Sequence, residues 1–337
     1  MTTSPSILKL VKTAIGAIEK QFGQGAIMHL GEDDSRPTRG GISTGSLDVD
    51  LALGGEGLPK GRIIEIYGPE GSGKTTLALQ AIARAHQEGS LCAFIDAEHA
   101  LNATYAKTLG VQLERLLVSR PDTGEQALEI CEALLLSGEV PLVVVDSVAA
   151  LVPEAELEGE AGDTHPGLQA RLMSQALRKL IGITQRAGGT LIFINQLRQR
   201  LGVAFRSPEV TTGGNALHFF ASVRIEVRHI GAIRKGNLQV GNRTRIKIVK
   251  NKLSPASKQV EVEVDIIYGR GISQGGDLLE RGLETRVIQR SGAWFSFKDR
   301  RFARGRDAAT QTIETNPRLA HDLLEAIVHH LRPNLKP

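Results

Sequence analysis

The chain has 337 residues, 41% of them apolar and only 4% aromatic, and its 41 basic and 37 acidic side chains leave a net charge of +4. That composition excludes disorder on a large scale and predicts an α/β protein with a core of Val, Ile, Leu and Ala rather than rings. No run approaches the roughly 18 consecutive apolar residues of a membrane span, no basic leader precedes an apolar stretch, and Cys92 and Cys131 lack metal-ligand spacing, so buried thiols in a cytoplasmic protein are expected.

Residues 6–22 put Ile7, Leu10, Val11, Ala14, Ile15 and Ile18 on one stripe, which predicts an amphipathic helix. A Gly- and Asp-containing stretch over 23–41 follows, so this helix is either an arm that packs on another subunit or a helix folded back on its own core. From Ile42 to about Gly269, β-rich runs alternate with helical patterns, the signature of an α/β fold with a mostly parallel sheet covered on both faces. Strands are expected at 62–67, 91–96, 142–146 and 190–195, each ending in polar residues where ligands of open sheets gather. The runs 222–228, 244–249 and 260–267 alternate apolar and polar residues and predict antiparallel, half-exposed strands. Beyond the Gly-rich 269–276 a small separate C-terminal unit is expected, with Leu319, Leu323, Ile327 and Leu331 on one helical face and Trp294, Phe295 and Phe297 in its core rather than forming a stacking platform.

The chemistry concentrates at Gly68-Pro69-Glu70-Gly71-Ser72-Gly73-Lys74-Thr75, which follows an apolar strand and precedes a helix beginning at Thr76. This is a complete phosphate loop in its required setting: glycines turn backbone N–H groups toward phosphates, and the helix N-terminus adds partial positive charge. Lys74 would neutralise the β and γ phosphates of ATP, and the Thr75 hydroxyl would hold Mg²⁺, with Thr76 also in the cofactor set. Asp146, ending the apolar run 142–145, is the candidate second Mg²⁺ anchor. Glu98 is the candidate general base, with Asp96 and His99 as competing choices at the same strand end. Gln196, at the end of the next strand, is a candidate γ-phosphate sensor.

Two segments face outward. Residues 197–212 carry Arg198, Arg200 and Arg206 among Gly and Pro, with Leu201 and Phe205 available to wedge or stack between bases; the other reading is an ordinary basic surface loop. The acidic loop 156–168 leads into a helix on which Arg171 and Arg178, about two turns apart, share a face, either toward phosphates or as a solvated basic surface. Over 281–306, eight cations stand against two acids, an excess larger than that of the whole chain, which favours contact with duplex phosphates.

From the N-terminal helix to about Pro317 the chain resembles the RecA family of bacterial recombinases. The resemblance rests on Gly25-Ala26-Ile27-Met28-His29-Leu30-Gly31, Ile42-Ser43-Thr44-Gly45-Ser46-Leu47-Asp48, the phosphate loop, Phe94-Ile95-Asp96-Ala97-Glu98-His99-Ala100-Leu101, the segments 126–131 and 145–151, Phe193-Ile194-Asn195-Gln196 and Thr211-Thr212-Gly213-Gly214-Asn215-Ala216-Leu217. It implies a P-loop ATPase core over 36–271 with DNA-binding loops near 156–168 and 197–212, an N-terminal helix and linker for polymerisation over 1–35, and a small α+β duplex-binding domain over 272–337. It implies a helical filament on single-stranded DNA with ATP between subunits, strand exchange with a homologous duplex, and promotion of SOS repressor self-cleavage.

By the same resemblance Lys250 and Lys252 reach a neighbour's γ-phosphate, Tyr105 and Tyr268 flank the adenine, and Ser174, Arg178, Arg198, Gly213, Gly214 and Asn215 contact the single strand. Phe219 is implied as an intersubunit plug. The departures are His218 in place of a frequent Lys at the subunit interface, Pro166 and Leu201 in the loops, about two extra residues over 254–267, and no acidic stretch corresponding to the family's C-terminal tail. The last implies readier duplex uptake and a lower Mg²⁺ requirement, and His218 implies pH-sensitive assembly. A ring-forming motor on the same core and a non-hydrolysing ATP-binding scaffold are the rival readings; the complete set of Lys74, Thr75, Glu98, Asp146 and Gln196 argues against the scaffold.

Overall fold

The computed structural model describes residues 5–23, 26–27, 40–159, 167–199, 209–253 and 260–331. Arg200, Leu201, Phe205, Arg206 and Pro166 lie outside the described residues. Met1–Arg39 and Gly40–Pro337 are two separate units. In the first, helix α1 (Pro5–Phe22) carries exposed Leu10, Val11 and Phe22.

In the second unit, β1 (Gly41–Ile42) pairs with β2 (Leu58–Pro59) around α2 (Leu47–Ala52), whose Ser46 cap accepts from the Val49 N–H. The chain continues as β3 (Ile63–Gly68), α3 (Lys74–Gln87), β4 (Cys92–Asp96), α4 (Ala103–Thr108), β5 (Leu116–Ser119), α5 (Gly124–Leu136), β6 (Leu142–Asp146), α6 (Glu154–Leu157), α7 (Leu168–Ala187) and β7 (Thr190–Gln199). Then come β8 (Glu209–Thr211), α8 (Ala216–Phe220), β9 (Val223–Lys235), β10 (Leu238–Asn251), β11 (Val260–Ile267) and β12 (Gly271–Ile272). The C-terminal segment comprises α9 (Gln274–Glu284), β13 (Ile288–Ser291), β14 (Trp294–Phe297), β15 (Arg300–Arg304), α10 (Arg306–Thr315) and α11 (Pro317–Leu331).

The large sheet runs β12-β11-β10-β9-β3-β7-β6-β4-β5, with β8 paired to β7. Its central strands are parallel and buried on both faces, and successive side chains divide between two cores. Ile64, Ile66, Phe94, Val144 and Ile192 pack under α3. Ile63, Ile95, Val143, Val145 and Phe193 pack under α5 and α7. This burial on both sides is why the central strands read as continuous apolar runs rather than as alternation.

Three expectations change. The run 222–228 was expected to be antiparallel and half exposed; β9 is parallel to β3, antiparallel only to β10, and buried at Val223, Ile225 and Val227. Arg224 escapes water by pairing with Glu65, so a charge at that position of the alternation does not report exposure. The strand expected at 190–195 extends to Gln199, because β8 zips onto it with Leu197 opposite Thr211 and Gln199 opposite Glu209, so the ends of the basic loop are a hairpin. Of the three aromatics assigned to the C-terminal core, Phe295 and Phe297 are buried, but Trp294 is 39% exposed beneath the Arg301 guanidinium, whose carbon lies 5.5 Å from the ring centre.

The C-terminal segment has its own core of Leu279, Ile288, Phe295, Ile313, Leu323 and Ile327. It meets the preceding α/β body at a buried polar junction. Ser46 donates its hydroxyl to Asp277. Arg281 donates to Asp48 at 2.7 Å and to Glu284 at 2.8 Å, while Arg306 pairs with Glu280. Two of the eight cations counted over 281–306 are therefore engaged in ion pairs, one of them to the core. Cys92 and Cys131 are free and buried, as the spacing predicted. No helix among the described residues is long and apolar enough to cross a membrane.

Candidate nucleotide and DNA site

The sheet order sets the carboxyl ends of β3, β7, β6 and β4 side by side. Gly68 is in register with Gln196, Asp146 lies beside Ile194, and Asp96 lies beside Asp146. The phosphate loop leaves β3 at Gly68, where a Cβ would sit 2.0 Å from the Val227 carbonyl oxygen, and turns through Gly71 (φ 68°) and Gly73 (φ 100°). Both backbone conformations are left-handed, which explains glycine at these two positions. Helix α3 then starts at Lys74 without a side-chain cap, so its first N–H groups remain available to an anion.

Lys74 is buried and donates to the Pro69 carbonyl at 2.7 Å; burial lowers its pKa, while Asp146, Glu98 and Glu70 oppose that shift. The Thr75 hydroxyl donates to Asp146 Oδ2 at 2.7 Å. Asp146 is pushed up to about 6, chiefly by burial, with the Thr75 bond pulling the other way and Glu98 adding to the rise. Ser72 is buried and its hydroxyl has no hydrogen-bond partner. An orphan hydroxyl, a buried ammonium, bare helix N–H groups and a hydroxyl–carboxylate pair fit a phosphate chain with a hard divalent cation. Mg²⁺ takes one or two protein oxygens and completes its shell from phosphate and water.

Glu98 follows β4 and is exposed, its backbone N–H donating to the Asp146 carbonyl at 3.2 Å. Its Oε1 accepts from the Ser147 hydroxyl and, at 2.8 Å, from Gln196 Nε2. Asp96, one of the alternatives, is instead consumed in bracing the loop: it accepts from the N–H groups of Ala100 and Leu101 and from Arg120 Nε at 3.2 Å. His99, the other, is exposed with a left-handed backbone (φ 55°). Tyr105 is half-buried and its hydroxyl shares a 2.9 Å hydrogen bond with Thr76. Tyr268 keeps different company, accepting from Gln239 at 2.8 Å and donating to Asn242 at 3.1 Å on the β10 side.

Arg171, Ser174 and Arg178 line one shallow depression on α7 together with Ala170 and Gln175. Gly213 and Gly214 have left-handed backbones; a Cβ on the first would lie 2.8 Å from Val148, and on the second 2.8 Å from Ala170, so this turn packs tightly on α7. Asn215 beside them is exposed. Farther along, His218 and Phe219 are exposed on α8, and Phe219 is 65% accessible. Lys250 donates to the carbonyls of His218 (2.6 Å) and Phe219 (3.1 Å), and Lys252 reaches the latter at 3.3 Å. Burial, then Lys252 and Arg224, push Lys250 down to about 8. His218 Nδ1 lies 2.7 Å from Arg224 Nη1, and its pKa is lowered by burial and by the Arg224 and Lys250 charges.

Sequence reasoning missed Ser147, Asn195, Glu65 and Arg224. The available signal was a charge at the centre of an apolar strand: Glu65 between Ile64 and Ile66, and Arg224 between Val223 and Ile225. Such residues are tolerated in a core only when paired.

Residues 9–273 match the model of the RecA N-terminal domain, and residues 276–332 match that of the RecA C-terminal domain. Protein RecA of Brucella canis and of Brucella abortus are each 57% identical to this chain over 315 residues, covering 94% of it and 87% of the relative. Among solved structures, the RadB recombinase superposes with a TM-score of 0.51 at 22% identity, over 68% of this chain and 98% of that one, a likeness of fold.

Proposed function

The chain belongs to the RecA family of DNA-dependent ATPases that act in homologous recombination, and we propose how its own residues carry that activity. The supporting observation is the convergence of Lys74, the Thr75–Asp146 pair and the Glu98–Gln196 pair at one end of the sheet.

The loop 68–75 cradles the phosphates of ATP through its N–H groups, and Lys74 moves from the Pro69 carbonyl to the β and γ oxygens. Thr75 and Asp146 would hold Mg²⁺, which would supply charge neutralisation to the phosphate chain. Glu98, steadied at Oε1 by Ser147 and Gln196, uses Oε2 to orient the attacking water and take its proton. Gln196 exchanges that partner for the γ-phosphate and so reports its presence. Tyr105 packs on the adenine side; Tyr268 joins it only through a change of partners.

Arg171, Ser174, Arg178, Arg198, Arg200, Leu201, Gly213, Gly214 and Asn215 hold the single strand mainly by its backbone, leaving homology to base pairing. Residues 1–35 link protomers into a helical filament in which Phe219 and His218 lie at the interface, and Lys250 and Lys252 meet the neighbour's ATP. Residues 272–337 hold incoming duplex through the cations of 286–304. The filament acts in the cytoplasm and promotes self-cleavage of an SOS repressor.

The test is strand exchange between circular single-stranded DNA and a homologous linear duplex, with electron microscopy of the same mixtures. Helical filaments and ATP-dependent joint molecules support the reading. Closed rings without exchange would favour a motor, and ATP-bound filaments without exchange a scaffold.

A further inference from the structure

We propose that Asn195 is a positioning residue that fastens the DNA-facing segment at Thr212 to Gln196, so that a shift of that segment is delivered to Glu98. The inference rests on the roles of Glu98 and Gln196 given above.

Asn195 is fully buried on β7 beside Tyr67 of the phosphate-loop strand. A carboxamide has two N–H donors and two acceptor directions, and Asn195 uses all four. Its oxygen accepts from the Gln196 backbone N–H at 2.9 Å and from the Thr212 hydroxyl. Its nitrogen donates to the Thr212 carbonyl at 3.1 Å and to Glu65 Oε1 at 2.9 Å. One side chain thus grips both polar groups of Thr212 and the backbone of the residue whose amide holds Glu98.

The far side of this grip is stiff. Glu65, with no exposure, accepts from Arg224 Nε at 2.5 Å, and the Arg224 guanidinium carbon lies 4.6 Å from the centre of the Tyr67 ring. Breaking one partner out of a buried ion pair leaves an uncompensated charge, so the pair resists displacement. The Thr212 side is built to transmit: Gly213 and Gly214 follow at once and abut Val148 and Ala170 without room for a methyl group. A pull on Gly213 to Asn215 therefore acts on Thr212, and the stiff Glu65–Arg224 anchor directs the response along β7 to Gln196.

The experiment measures ATP turnover without DNA and at saturating single-stranded DNA, taking the ratio as the stimulation factor, for the wild type, Thr212→Val, Thr212→Ser and Asn195→Asp. Melting temperature is read for each. Thr212→Val keeps shape and loses the hydroxyl; its stimulation factor is expected to fall at least about ten-fold with the melting temperature near that of the wild type, while Thr212→Ser stays within about two-fold. Asn195→Asp sets a carboxylate against Glu65 and is expected to lose stimulation as well, which keeps the test open if Thr212→Val folds poorly. A Thr212→Val or folded Asn195→Asp protein stimulated like the wild type overturns the proposal. A wild type with turnover but no stimulation would overturn the functional reading itself, and this inference with it.

Discussion

Gln196 Nε2 donates to Glu98 Oε1 at 2.8 Å, joining β7 to the loop after β4 across the strand that carries Asp146. Because Gln196 also stands in register with Gly68, it touches the Glu98 carboxylate, proposed above to orient the attacking water, from a position at the mouth of the phosphate loop. A single amide there can report on one side and orient on the other.

Gln196→Leu keeps the bulk and removes the amide. ATP affinity, read by fluorescent-nucleotide titration, is expected to stay within about three-fold, while turnover on single-stranded DNA falls on the order of 10²-fold, the range for a mispositioned general base. DNA-stimulated turnover within three-fold of the wild type would contradict the role assigned to Gln196.

Lys250, held down to about 8, loses charge at mildly alkaline pH. If its ammonium meets a neighbour's phosphate, ATP-dependent assembly followed by light scattering weakens as pH rises through about 8, and Lys250→Arg flattens the profile. Stability of the isolated protomer moves the other way. Between about 8 and the ordinary lysine value of 10.5 the unfolded chain binds more protons, so that contribution to stability rises with pH.

Asp277 is buried at the junction with the C-terminal segment and pushed up to about 8, first by burial and then by Asp48, Asp265 and Asp50, against the Ser46 hydrogen bond. From the ordinary 3.8 up to about 8 the native state holds a proton that the unfolded chain has released, so stability falls as pH rises across that window. Thermal melts from pH 5 to 8.5 should show this slope, and Asp277→Asn should flatten it, melting about 5 °C or more above the wild type at pH 8.5. Parallel profiles would show that Asp277 does not control the slope.

Gly68→Ala would thrust a methyl group to 2.0 Å from the Val227 carbonyl, where backbone rather than a flexible side chain must yield. A loss of about 3 kcal/mol in urea unfolding, together with weakened ATP binding, is expected from overpacking at a strand end that positions the phosphate loop.

Much of the site was legible in the sequence because it is local: the phosphate loop lies within eight residues, and Asp146 and Glu98 sit at the ends of apolar runs that could only be buried strands. What separates Glu98 from Asp96 and His99 is not local: Asp96 is occupied by Arg120 and the loop N–H groups, while Ser147 and Gln196 converge on Glu98, which supports the proposal of Glu98 as the base. The grip of Asn195 on Glu65 spans 130 positions and that of Arg224 on Glu65 spans 159, separations over which no periodicity carries information. Direction in the sheet was hidden for a similar reason. The run at β9 alternates in sequence like an exposed antiparallel strand, yet its Arg224 is buried against Glu65, a partner that only the tertiary fold supplies.

ATP turnover measured without DNA, with single-stranded DNA and with duplex, for the wild type, Glu98→Gln and Lys74→Ala, tests the central claim most directly. Strong stimulation by single strands in the wild type, abolished in both variants while Glu98→Gln still binds ATP, is the predicted result. Turnover that ignores DNA, or that survives Glu98→Gln, would contradict the account.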